Sequence, residues 1–137
     1  MLGFTNVEAG LKTPASFFVG TKRNIVENKE LEKQKMHITV EIIEYMSHAV
    51  VSKTIIRKST GTVSVMSFDE GEGLTERIAP FDTYAQIIEG QAELVIDKET
   101  FLLTTGSSII IPAHKSNTIK PNGRFKMILT VIKSEPS

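Results

Sequence analysis

Between residues 49 and 133 the chain breaks into short apolar and β-branched runs, and this punctuation constrains the fold more than any other feature. The runs AVVSKTIIRK, TVSVMSF, TYAQIIE, AELVID, TFLLT, SIIIP, NTIK and RFKMILTVIK follow one another at short spacing. Gly61, the stretch 69–73, Asp97-Lys98-Glu99, Gly106 and Pro121-Asn122-Gly123 separate them. That is the pattern of strands joined by tight turns in an all-β barrel or sandwich. No long helical period lies between the runs, which argues against alternating strands and helices. No fixed-period repeat is visible, which argues against solenoids and propellers.

Upstream the pattern is different. Residues 1–20 mix Gly3, Gly10, Pro14 and Gly20 with the pair Phe17 and Phe18, as expected of an irregular arm with one hydrophobic anchor. Residues 22–35 are dominated by charge, with Ile25, Val26 and Leu31 the only large apolar side chains, and read as a solvated short helix or linker. From Met36 the period changes to two: Met36, Ile38, Val40 and Ile42 alternate with His37, Thr39 and Glu41, which predicts a half-buried strand. The expected division is an arm and charged linker over 1–35 and a β-barrel domain over 36–137.

With 137 residues the chain is the size of one domain that can bury its own core. Sixteen basic and sixteen acidic residues cancel, so no global field draws it to nucleic acid or to an acidic membrane. The absence of Cys removes disulfides, a thiolate nucleophile and Cys-based metal sites. No apolar run reaches the ~18 residues of a membrane span, and a cytoplasmic location is the expectation.

Within the β-rich part, two stretches share a frame: Gly71-x5-Arg77-x-Ala79-x3-Thr83-x6-Gly90, then Gly106-x5-Pro112-x-His114-x2-Asn117. This spacing resembles the two motifs of the cupin superfamily, G-x5-H-x-H-x3,4-E-x6-G and G-x5-P-x-G-x2-H-x3-N. Ser52-Lys53-Thr54, Gly71-Glu72-Gly73-Leu74 and Ala79-Pro80-Phe81-Asp82 are further similar to small single-domain bacterial cupins of the cupin 2 conserved barrel type. The motif resemblance covers 71–121, and the strand pattern extends it. It implies a double-stranded β-helix, the jelly-roll barrel, with the N-terminal arm outside it. It also implies a homodimer built through sheet contacts, for which the predicted strand at 36–43 offers an edge.

The frame positions Gly71, Gly90, Gly106 and Pro112 all match, and structural roles follow from them. Gly90 and Gly106 are expected at hairpin turns that need positive φ, and Pro112 is expected to end a strand by removing a ladder donor. The slots that hold three His and one Glu in the family motif instead carry Arg77, Ala79, Thr83 and Asn117. A guanidinium, a methyl, a hydroxyl and an amide do not make a transition-metal site. His37, His48 and His114 are the only histidines, and only His114 lies inside the motifs. No metal or other cofactor is expected.

The candidate ligand-binding residues are therefore Arg77, Thr83, Asn117 and His114, with no residue assigned a catalytic role. A guanidinium in a barrel keeps its charge and needs an anion or water. Arg77 either clamps a carboxylate, phosphate or acidic sugar with help from Thr83 and Asn117, or pairs with Glu72, Glu76 or Asp82, or extends to solvent. His114 is either a solvated loop residue or a general base oriented by Asp82. Three functions remain open. The first is a metal-free cupin that binds a small polar or anionic molecule without catalysis. The second is a metal-independent isomerase or epimerase. The third is a structural homodimer whose barrel is filled by Phe68, Phe81, Phe101 and Phe125. No nucleic acid and no membrane partner is expected.

Overall fold

The computed structural model describes residues 16–19 and 22–134. Eleven strands run in chain order as β1 Ser16–Val19, β2 Lys22–Glu27, β3 Ala49–Lys58, β4 Gly61–Phe68, β5 Leu74–Arg77, β6 Thr83–Glu89, β7 Gln91–Ile96, β8 Glu99–Thr104, β9 Ser108–Ile111, β10 Asn117–Lys120 and β11 Phe125–Ile132. They form a seven-stranded sheet in the order β1-β2-β3-β4-β11-β6-β9 and a four-stranded sheet in the order β5-β10-β7-β8. The described residues contain one helical element, a single 3-10 turn at Thr39–Glu41, and no helix long and apolar enough to cross a membrane. The all-β jelly-roll expectation holds, and each run predicted after residue 49 coincides with a strand.

Alternation along the strands divides the large sheet into an inner and an outer face. Met66, Phe68, Ala85, Ile87, Met127 and Leu129 turn inward and meet Ala92, Leu94, Ile96, Leu103 and Ile119 from the small sheet. Phe68 and Phe125, paired across β4 and β11, stack with ring centroids 4.3 Å apart and fill one end of the barrel. On the outer face Val51 and Val65 pack with Ile25, Ile43 and Ala49, against Ile42, Met46 and Ile128.

That outer layer explains where the upstream reading differs from the structure. Residues 22–27 are a strand, not a helix or linker: β2 lies parallel to β3, with Ile25 opposite Val51. A parallel pair needs a long crossover, and residues 28–48 supply it by passing over the outer face. The strand expected at 36–43 does not form. Met36 and Ile38 are 90% and 60% exposed, Thr39–Glu41 is the 3-10 turn, and Ile43 is the residue that buries. Period-two alternation makes a strand only where a neighbouring strand takes up its backbone hydrogen bonds, so this segment presents no strand edge. The described part of the expected irregular arm, Ser16–Val19, is antiparallel to β2. Residues 1–15 and Gly20, the rest of that arm, lie outside the described residues.

Two turns also differ from expectation. Gly90 has φ +82°, as predicted, but it joins β6 in one sheet to β7 in the other, so it is a corner between sheets and not a hairpin. A side chain there would lie 2.5 Å from the Arg124 carbonyl. Gly106 performs the same change of sheet between β8 and β9. The tight hairpin of the small sheet is β7–β8, whose two loop residues Asp97 and Lys98 both take positive φ, as a type I′ turn requires.

Candidate functional site

Opposite the Phe68–Phe125 end, several strands terminate together. Arg77 is the last residue of β5, Thr83 the first of β6, Ile111 the last of β9 and Asn117 the first of β10. β11 passes between them with Leu129 and Val131. Together with Ile78, Ala79, Phe81 and Pro112 these residues line a cavity of about 170 Å³. The structure thus brings Arg77, Thr83 and Asn117 into one cavity. His114 is elsewhere.

Arg77 and Asn117 face each other across the β5–β10 ladder. The Arg77 Nε donates to Asn117 Oδ1 at 3.1 Å, and Asn117 Nδ2 donates back to the Arg77 carbonyl at 3.3 Å. Asn117 is buried, so its amide orients the guanidinium and is itself largely satisfied. None of the three carboxylates considered as partners reaches Arg77. Glu76 accepts from Ser116 Oγ, Asp82 Oδ1 accepts from the Ala113 N–H at 2.8 Å, and Glu72 lies beyond the other end of β5 with Oε1 buried and unbonded. Both Nη groups are without a hydrogen-bond partner among the described residues.

Arg77 is exposed to water at the cavity mouth. The protein packed around it partly desolvates the guanidinium and lowers its pKa from the ordinary arginine value, although it stays charged at any physiological pH. The result is an oriented cation with free donors in a mostly apolar recess. Thr83 adds one hydroxyl.

His114 lines a neighbouring cavity of about 370 Å³ with Pro80, Phe81, Asp82, Ala113, Ile132 and Ser134. Its backbone has φ +67°, the left-handed region, which is the physical reason the family motif has glycine at this slot. Its N–H donates to the Ala79 carbonyl at 2.7 Å and so ties the second motif to the first. Among the described residues its ring makes no hydrogen bond, and Asp82 bonds the loop backbone instead of the imidazole. Four lining residues escaped the sequence reading: Ile78, Ile111, Leu129 and Val131. Alternation in RFKMILTVIK, which turns Phe125, Met127, Leu129 and Val131 to one side, held the signal for the last two.

No protein-family model and no curated protein matches the sequence. Solved structures do match. A conserved protein of unknown function from Streptococcus pyogenes is 25% identical with a TM-score of 0.73, covering 80% of this chain and 96% of that one. A cupin superfamily protein from Desulfitobacterium hafniense is 27% identical with a TM-score of 0.72, covering 77% and 97%. The chain is a cupin-fold protein. A cupin 2 conserved barrel domain protein from Leptotrichia buccalis, 29% identical with a TM-score of 0.66, is matched over 69% of this chain and 46% of its own length.

Cupin motifs ordinarily imply a metal, and the residues present do not fit one. The four slots bring a guanidinium, a methyl, a hydroxyl and a satisfied amide to the cavity. A fixed cation stands where a cation would have to bind. Among the described residues no group of three or more His, Cys, Asp or Glu is placed to hold a metal.

Proposed function

We propose that this cupin binds a small anionic molecule at the barrel mouth, without a metal and without catalysis, as a sensing, carrier or accessory module. One observation carries the reading: Arg77 is held by Asn117 at the wall of a cavity while, among the described residues, its Nη donors meet no anion. A bound carboxylate or phosphate accepting from Nη1 and Nη2 replaces water on a guanidinium that Asn117 already orients. The interior below is packed by the Phe68–Phe125 stack and its neighbours, so the barrel is filled at that end, and the Arg77 cavity lies at the other. An isomerase or epimerase needs an acid and a base at one substrate, and His114 shares neither a cavity with Arg77 nor a hydrogen bond with Asp82.

The test is calorimetric titration with a panel of small carboxylates and inorganic phosphate. Arg77→Ala should weaken the best-bound anion more than tenfold, about 1.4 kcal/mol, with the thermal unfolding midpoint little changed. Equal affinity in the variant would overturn the reading.

A further inference from the structure

The cavity constrains its ligand more tightly than "an anion", and this further step rests on the anion-binding reading. Arg77 is the only charged residue in the lining, and Thr83 is the only other polar side chain besides Asn117, whose amide is engaged with Arg77. Everything else is hydrocarbon: Ile78, Ala79, Phe81, Ile111, Leu129 and Val131 among them. A sugar acid entering here would bury several hydroxyls against apolar walls with one hydroxyl to answer them, and an unsatisfied buried polar group costs more than its hydrogen bond contributes. A phosphate monoester would bring close to two negative charges to one cation. A monocarboxylate fits on both counts, since its two oxygens match the two free Nη groups and its body can be apolar.

Size narrows the class again. The volume is about 170 Å³, and an apolar protein cavity of about 150 Å³ admits benzene. Phe81 bounds the cavity on one side, since it belongs to its wall and also to the wall of the larger one beside His114. We propose that the site selects monocarboxylates with a compact, benzene-sized apolar body, and that Phe81 is the residue that excludes longer ones by separating the two cavities.

Titration of the full chain with acetate, benzoate, glucuronate, inorganic phosphate and biphenyl-4-carboxylate tests this. Benzoate should bind at least tenfold tighter than acetate, glucuronate or phosphate, and Arg77→Ala should abolish that advantage. Phe81→Ala joins the cavities and should raise the affinity for biphenyl-4-carboxylate relative to benzoate at least tenfold; Phe81→Leu, which preserves more of the packing, should give the same shift to a lesser degree if the alanine variant fails to fold. Tighter binding of glucuronate or phosphate, still lost in Arg77→Ala, would overturn the ligand class and leave the anion site standing. Unchanged selectivity in both folded Phe81 variants would overturn the filter. No Arg77-dependent binding of any of the five would overturn the anion-binding reading itself.

Discussion

At the scale of single residues the site depends on what Asn117 does with its amide. The oxygen takes the Arg77 Nε–H and the nitrogen returns to the Arg77 carbonyl, so a neutral group fixes the guanidinium without neutralising it. Asn117→Asp is nearly isosteric and reverses that economy. A carboxylate against Arg77 forms an ion pair at the mouth, and the like charge repels an incoming anion. The variant loses the Nδ2 bond to the Arg77 carbonyl, so it should melt somewhat lower, and it should bind the best carboxylate at least tenfold more weakly. Calorimetry beside a thermal melt separates the two effects. Retained affinity in Asn117→Asp would mean that ligands bind elsewhere.

At the scale of elements the crossover over 28–48 is held from below by side chains of the barrel's closed end. Lys126 Nζ donates to the Val40 carbonyl at 2.5 Å and lies 5.0 Å from the Tyr45 ring centre, while Tyr45 donates to Glu89 Oε2 at 2.6 Å. Burial, then the Glu89 bond, raises the Tyr45 pKa, so the phenol stays protonated as the donor. At the crossover's end Asp69 accepts from the His48 N–H at 2.8 Å, where His48 has φ +56°, and from Arg124 Nε at 2.7 Å. These bonds, the His48 one first, lower the Asp69 pKa below its ordinary 3.8. A depressed carboxylate stabilises the fold above its unfolded value and loses that contribution as pH falls through the folded one. Arg124 is mostly exposed and its share is small. Asp69→Asn should therefore cost about 1 kcal/mol at pH 7, read as a lower urea midpoint, and the gap to the parent should narrow as the pH falls below 3.8 through the lowered Asp69 pKa. A gap that persists unchanged in acid would show that charge at Asp69 is irrelevant. This layer is also where the sequence was least legible. Strands after residue 49 announce themselves because Gly, Pro or Asx turns bound their apolar runs, although of consecutive strands there only β3–β4 and β7–β8 pair directly. β2 does not, because charged residues flank its two apolar ones, Ile25 and Val26, on both sides. The alternation at 36–42 misled because a pattern of side chains does not report whether a neighbouring strand exists.

For the whole molecule, the motif frame made much of the mouth legible, since glycine and proline at fixed intervals place strand ends whatever occupies the slots between them. Arg77, Thr83 and Asn117 came together on that account. His114 did not join them, because its slot needs a left-handed backbone and its side chain leaves toward the second cavity. The apolar wall from β11 lay outside both motifs, and only the strand's own alternation carried a signal for it. The same frame bears on metal dependence. A barrel whose metal ligands tie its sheets together gains folding energy from the ion, whereas here the Ala79–His114 backbone bond ties the two loops that cross between the sheets at the mouth, and apolar packing joins the sheets through the core. Protein prepared without added metal should thus contain no stoichiometric Fe, Mn, Ni or Zn on elemental analysis, and its thermal midpoint should be the same with and without a strong chelator. A near-equimolar transition metal that survives dialysis, or a midpoint that falls by several degrees in chelator, would mean that a cation is held despite Arg77 and that the mouth has to be rebuilt around it.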